Sequence, residues 1–339
     1  MRAAVVQAIG HPPAPADVPQ PRRRPGDALV RVAAAALNPV ELHIWNGHFF
    51  DGPPRPPYVI GLEGVGVVEQ GERIAPGTRV RVEFVHPGYG RDGAVAEYAV
   101  APEEPDAVDR ASQASVAPIA DELDETNAAA LGVPVFTALM CLERAEAAGA
   151  SLDGAHVLVT GATGAVGLIA VQLAKLKGAA RVVAAGRNPE RLERARSLGA
   201  DASVELAAGL GREKLQALFA EAAGGRLDVA LDPLWGDPAR AAIEALTRDG
   251  VYVSFGQAAS PGAELSGLPL RNRRVTLVGH SGAWATPQER QAALNRAHKL
   301  AREADTQLEL DTEEVALDDI GEAWERLSRS AGRRLVVRP

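Results

Sequence analysis

Cysteine is nearly absent. The single thiol, Cys141, excludes a disulfide within the chain and any zinc site built on two or more thiolates. Such a chain suits a reducing compartment, so a cytoplasmic location is expected. Lysine is almost as scarce, confined to Lys175, Lys177, Lys214 and Lys299. Basic residues are outnumbered overall, 36 Lys and Arg against 44 Asp and Glu, for a net charge of −8. No basic surface is on offer for a phosphate backbone, and nucleic acid is not an expected partner. Membrane signals are poor too. The segment Val157–Ala174 is uncharged and long enough to span a bilayer, but three glycines, two threonines near its start and Gln172 make it unsuitable. Met1–Ile9 is too short for a leader and is interrupted by Gln7, with Pro12, Pro13 and Pro15 close behind, so neither a signal peptide nor a membrane span is expected.

What is present fits a soluble globular protein of about two domains: 339 residues, 46% hydrophobic and 24% charged. The first 125 residues read as β-rich. Short β-branched runs (Ala28–Ala33, Val65–Gln70, Arg79–Val85, Ala94–Ala101) are separated by the turn signals Pro25-Gly26, Pro76-Gly77 and Pro87-Gly88. From Asp124 to Ala148 the texture is helical, interrupted at Gly132-Val133-Pro134. Strands then alternate with helices: His156–Thr160, Val166–Lys177, Arg181–Ala185, Pro189–Leu198, Leu227–Leu231, Pro238–Thr247 and Val251–Phe255. That alternation predicts βαβ units around a doubly wound parallel sheet, an α/β fold. Val275–Gly279 would add a further strand at the sheet's edge. Helices at Gln288–Arg302 and Ile320–Arg329 and a strand at Arg334–Arg338 close the chain. The expected division is 1–125 with 283–339 as the β-rich domain, and 126–282 as the parallel-sheet domain.

The most informative segment joins a strand, a glycine-rich turn and an apolar helix. Gly161-Ala162-Thr163-Gly164-Ala165-Val166-Gly167 follows the strand and opens the helix. A pyrophosphate seated on the unpaired N–H groups at a helix start needs backbone without side chains there. The spacing is G-x-x-G-x-x-G, and its context between strand and helix gives it weight. The next strand ends at Gly186-Arg187-Asn188, with Arg191 one helical turn on. A dinucleotide-binding strand that selects NAD usually ends in an acid, which holds the ribose hydroxyls. Here the acid is missing and a guanidinium is present, suited to pair with a 2′-phosphate. NADP(H) is the expected cofactor.

At this point the chain resembles the medium-chain dehydrogenase/reductase superfamily, in its zinc-free quinone oxidoreductase and enoyl reductase branch. The resemblance rests on Leu37-Asn38-Pro39-Val40-Glu41, on Gly61-Leu62-Glu63-Gly64-Val65-Gly66-Val67-Val68, and on Gly93-Ala94-Val95-Ala96-Glu97-Tyr98. It continues through Ala128–Ala138, the glycine turn, Val253-Ser254-Phe255-Gly256 and Arg333-Arg334-Leu335-Val336-Val337. It implies a GroES-like β-rich catalytic domain beside a Rossmann domain, and a homodimer joined at the edge strand. Zinc alcohol dehydrogenases of the superfamily carry a cysteine near 38–41 and Gly-His-Glu at 61–63. Those places hold Asn38–Glu41 and Gly61-Leu62-Glu63, so no metal is expected.

Carried over residue by residue, the resemblance sets Asn38 by the nicotinamide, with Gly132, Val133 and Thr137 lining the cofactor path. Ser254, Phe255 and Gly256 would face its nicotinamide-ribose end, and Arg333 would close on it. Asn38 has an alternative role as cap of the helix at 39–45. Glu41 and Glu63 are open to structural or catalytic roles, and Asp232 reads as a turn residue. Related enoyl reductases carry Gly-Met-Tyr where Gly47-His48-Phe49 stands here. Phe49 cannot donate that tyrosine's proton, leaving His48 or water. Trp45, Phe49, Phe50, Tyr58 and Trp284 are expected substrate walls, though each could equally be core. The expected function is NADPH-dependent, zinc-independent hydride transfer to a quinone or an α,β-unsaturated carbonyl. Two alternatives stay open, a pathway-specific enone reductase and a non-catalytic NADPH-binding relative.

Overall fold

A computed structural model of the protein describes residues 1–48, 52–104, 113–119, 123–329 and 332–339. The chain forms two compact units. The first comprises Met1–Val133, Ala285–Gln291 and Leu310–Pro339; the second comprises Pro134–Trp284 and Ala292–Glu309. Residues 292–309, expected with the β-rich domain, instead belong to the second unit. Their helix buries Ala293, Ala297 and Ala301, and Arg296 grips Glu143 of the same unit through two 2.8 Å bonds.

In chain order the first unit contributes β1 (Arg2–Val6), β2 (Ala14–Asp17), β3 (Asp27–Ala36), α1 (Val40–Trp45), β4 (Tyr58–Val59), β5 (Glu63–Gln70), β6 (Arg79–Phe84), β7 (Tyr98–Pro102), β8 (Ala114–Pro118) and α2 (Glu125–Ala130). Then follow α3 (Val133–Ala147), β9 (His156–Val159), α4 (Ala165–Leu176), β10 (Arg181–Gly186), α5 (Pro189–Ser197), β11 (Ala202–Glu205), α6 (Arg212–Ala222), β12 (Val229–Asp232), α7 (Gly236–Ala245), β13 (Val251–Ser254), α8 (Gly267–Asn272) and β14 (Thr276–Gly279). The chain ends with α9 (Pro287–Glu303), β15 (Thr312–Ala316), α10 (Ile320–Ser328) and β16 (Arg334–Arg338). Among the described residues no helix is long and apolar enough to cross a membrane.

The first unit is built on a mainly antiparallel sheet in the order β15-β16-β3-β5-β6-β8, in which β15 and β16 pair in parallel and β7 also pairs with β3, beside a small sheet β2-β1-β4. The three expected turns hold, with Gly26, Gly77 and Gly88 all at positive φ. Of the run Ala94–Ala101, only the end from Tyr98 is strand. The core gathers Val30, Val80, Val82, Phe84, Ile320, Trp324 and Val337. Alanines 128–130 of α2 pack against Ala34, Ala36 and Val336, where only a methyl fits between helix and sheet.

The second unit holds a six-stranded sheet in the order β11-β10-β9-β12-β13-β14, parallel throughout. The order reverses between β9 and β12, and in such sheets ligands bind beyond the strand ends at that point. α4 is apolar on most of its surface, and eight of its residues, Gly167–Ala174, are buried. The expected strands and helices recur within a residue or two at most ends. The pair β11 and α6 lacks a strong signal, since Ala202–Glu205 is short and half-polar.

Candidate functional site

In the second unit the glycine turn begins where β9 ends. Gly161 adopts φ 59°, and its carbonyl accepts from Gly164 N–H at 3.0 Å. Gly164 is the cap residue of α4 in extended backbone, and a methyl placed on it would find nothing nearer than 3.5 Å. The turn is therefore open there, over the first N–H groups of Ala165, Val166 and Gly167, which have no partner within their helix. Gly167 serves packing instead, because a Cβ would come within 2.3 Å of the Gly161 oxygen. The arrangement fits a phosphate or pyrophosphate.

The end of β10 closes on the same turn. A Cβ on Gly186 would lie 2.4 Å from Thr163 Cγ2, and Arg191 Nε donates to the Thr163 carbonyl at 2.7 Å. Asn188 caps α5, its Oδ1 accepting from Arg191 N–H at 3.1 Å. Arg187 is exposed beyond the strand end. Thus Gly161–Gly167, Gly186, Arg187, Asn188 and Arg191 converge, with Asn188 and Arg191 serving the turn and its flanking helix.

Ser254 ends β13, Phe255 and Gly256 follow it, and all three are half-buried. Ser254, Gly256, Gln257, Gly279, Trp235 and Tyr252 line most of a cavity of about 340 Å³. Asp232, fully buried at the end of β12, accepts from Thr160 Oγ1, from Tyr252 Oη at 2.5 Å and from Trp235 N–H at 2.7 Å. Burial and that carboxylate push the Tyr252 phenol well up, which keeps it a donor. Thr137 is half-buried on α3, next to Gly282.

The first unit holds a buried charge network where the sequence pointed to single residues. Glu63, 1% exposed, accepts from Arg81 Nη1 at 3.2 Å, Asn38 Nδ2 at 3.3 Å and Val133 N–H at 2.8 Å, and pairs with Arg334. Burial pushes its carboxyl up, and the two guanidiniums oppose that push. Gly132 is obligatory beside it, because a Cβ would fall 1.7 Å from Glu63 Oε2. Glu83 stands directly opposite Glu63 on β6, and its own counter-ion is the buried Arg290 at 2.7 Å.

This network corrects several expectations. Asn38 is 2% exposed, and its amide is used up: Nδ2 donates to Ala36 O and Glu63, and Oδ1 accepts from Arg334 at 2.9 Å. It neither caps α1 nor presents a free donor to a substrate. Instead Glu41 reaches back to Asn38 N–H at 3.0 Å. Arg333 is exposed, and the neighbouring Arg334 takes the interior. An isolated acid in the apolar, glycine-rich run Gly61–Val68 is the signal that a buried cation had to exist. Tyr58 is core at 4% exposure, so it is no substrate wall. Trp45 packs edge-on against Trp324 at 5.9 Å and donates its indole N–H to His11 O. His48 is exposed, with its backbone N–H on Asn46 Oδ1, and Trp284 is 56% exposed. Phe49 and Phe50 lie outside the described residues. Among the described residues no group of three or more His, Cys, Asp or Glu could hold a metal ion.

Comparison with known proteins agrees with this architecture. Residues 24–108 match the family model for the alcohol dehydrogenase GroES-like domain, and residues 165–299 match that for zinc-binding dehydrogenases. Quinone oxidoreductase of Lama guanicoe is 37% identical over 183 residues, 52% of this chain and 49% of that protein. Alcohol dehydrogenase of Rhizobium meliloti is 33% identical over 247 residues, covering 64% and 66%. The quinone oxidoreductase from Thermus thermophilus, described alone and in complex with NADPH, superimposes with a TM-score of 0.76 at 27% identity over the whole of both chains. The chain spans 44% to 66% of the length of the curated relatives it matches. Two family models, one on each part of the fold, together with these likenesses lead to one conclusion: the chain belongs to the medium-chain dehydrogenase/reductase superfamily, in its quinone oxidoreductase branch.

Proposed function

We propose that the protein is an NADPH-dependent reductase that delivers hydride to a quinone or an α,β-unsaturated carbonyl without zinc. The observation that carries this reading is the open turn at Gly164 over the start of α4, coupled to a β10 that ends at Gly186 and is followed by Arg187 with no carboxylate. The bound dinucleotide would supply the hydride; the chain's residues supply binding and orientation. The N–H groups of Ala165–Gly167 seat the pyrophosphate. Arg187 pairs with the 2′-phosphate, and Arg191 holds Thr163 in place beneath it. Ser254–Gly256 and Thr137 support the nicotinamide end. The complex with NADPH described for the Thermus thermophilus relative is consistent with that assignment.

Zinc independence is supported by Asn38 and Leu62, which stand where the zinc enzymes carry ligands, and by Glu63, whose oxygens are committed to Arg81, Arg334, Asn38 and Val133. Without a Lewis acid an isolated carbonyl is a poor hydride acceptor, whereas a quinone spreads the incoming charge onto a distant oxygen. With the Asn38 amide engaged elsewhere, protons come from solvent, which favours quinones over enoyl thioesters. The protein acts as a homodimer paired along β14, whose Thr276 and Gly279 are exposed. Oxidation of NADPH against a panel of quinones, 2-alkenals and 2-enoyl thioesters tests the reading. Quinones should turn over fastest and simple alcohols should not react with NADP. Tight NADPH binding without turnover of any acceptor would favour the non-catalytic alternative.

A further inference from the structure

Asp232-Pro233 stands at the end of β12, beside the reversal of strand order. The Asp232 carboxylate is held by three neutral donors on three different segments: Thr160, which directly precedes the glycine turn; Tyr252 on β13; and the backbone of Trp235. Trp235 sits at φ 60° and ψ −168°, a conformation that side-chain-bearing residues rarely adopt, and its N–H to Asp232 at 2.7 Å holds it there. Pro233 is packed between two glycines. A Cβ on Gly161 would lie 2.7 Å from Pro233 Cγ, and a Cβ on Gly256 would lie 2.5 Å from Pro233 O. The main chain ties the same dipeptide to the β13 end, with Phe255 N–H on Asp232 O at 2.9 Å and Ala258 N–H on Pro233 O at 3.0 Å.

We propose that Asp232-Pro233 is a positioning wedge that sets the spacing between the phosphate turn at Gly161 and the strand-end segment Ser254–Gly256, and so the fit of a dinucleotide to both at once. The proposal rests on the dinucleotide reading of that site. Neither residue touches the cofactor; both act through Thr160, Tyr252, Trp235 and the two glycines. The carboxylate accepts from all three partners at once, two of them hydroxyls and the third the Trp235 N–H, an obligate donor. The side chain of D232N has one acceptor and one donor end and no charge, so with its oxygen kept on Tyr252 and Trp235 the bond to Thr160 must reverse or be lost.

A wedge makes a prediction that simple structural damage does not. A ligand that bridges both contact points must suffer more than a ligand that uses one. The probes are NADPH and its adenine half, 2′,5′-ADP, titrated against the wild-type chain, D232N, T160V, T160S and Y252F, with thermal melting followed in parallel. NADPH should weaken about tenfold or more in D232N and less in T160V and Y252F, and T160S should recover most of the loss. In each variant 2′,5′-ADP should stay within about twofold of wild type. Quinone turnover should lose through KM for NADPH more than through kcat. Equal weakening of both probes, or NADPH affinity unchanged in all variants, overturns the wedge. If D232N does not fold, T160V and Y252F decide by the same comparison. Failure of the wild-type chain to bind NADPH or NADH would overturn the dinucleotide reading itself, and the wedge with it.

Discussion

Glu41→Gln should change how stability depends on pH by an amount that the surroundings of the carboxylate fix. Glu41 is 3% exposed, and its oxygens accept from the backbone N–H groups of Asn38 and Gly61, both at 3.0 Å. Burial pushes its carboxyl up from 4.5 to about 7, although those N–H groups and the Arg334 guanidinium favour the charged form. Between those values the folded chain keeps a proton that the unfolded chain releases. The stabilisation is therefore full below about pH 4.5 and is lost as pH rises through about 7. A displacement of that size corresponds to about 3 kcal/mol. Glutamine does not titrate, so the unfolding free energy of E41Q minus that of wild type should rise by about 3 kcal/mol from pH 4.5 to pH 8. Urea unfolding of the chain at a series of pH values reads this directly. Using the difference removes His280, whose imidazole is pushed down to about 4 by burial and by Arg144. Between about 4 and 6.5 that group works in the opposite direction, equally in both proteins. A difference flat to within about 0.5 kcal/mol across the window refutes the reasoning.

Arg187→Ala should cut the preference for NADPH over NADH at least tenfold, since a charge-assisted hydrogen bond contributes about 1.5–3 kcal/mol, with NADH affinity little changed in calorimetry. Gly132→Ala should destabilise the first unit by about 3–5 kcal/mol in chemical unfolding, because the new methyl must displace Glu63 from Arg81. Wild-type stability in that variant would show that the network is not close-packed. Exhaustive chelation should leave NADPH oxidation unchanged, and a stoichiometric zinc whose removal stops turnover would contradict the reading of Asn38 and Leu62. Sedimentation at micromolar concentration should find a dimer, and a charged residue in place of Leu277 on the edge strand should shift it towards monomer.

Part of this protein can be read without its structure, because local chemistry decides it. The alternation of strand and helix, the glycine turn opening α4 and the edge position of β14 follow from periodicity and from glycine's lack of a Cβ. Those cues act between near neighbours. Tertiary structure alone decided which of two adjacent arginines turns inward, since Arg334 is chosen by Glu63 and Asn38, 271 and 296 positions away. It likewise consumed the Asn38 amide in a buried network, moved Tyr58 into the core, and made Asp232 a three-way acceptor between strands. A hydrogen bond across a sheet leaves no period in the chain; its only local trace is a lone charge in an apolar run. Such a charge must find a partner when it is buried, and only the fold determines which residue that partner is.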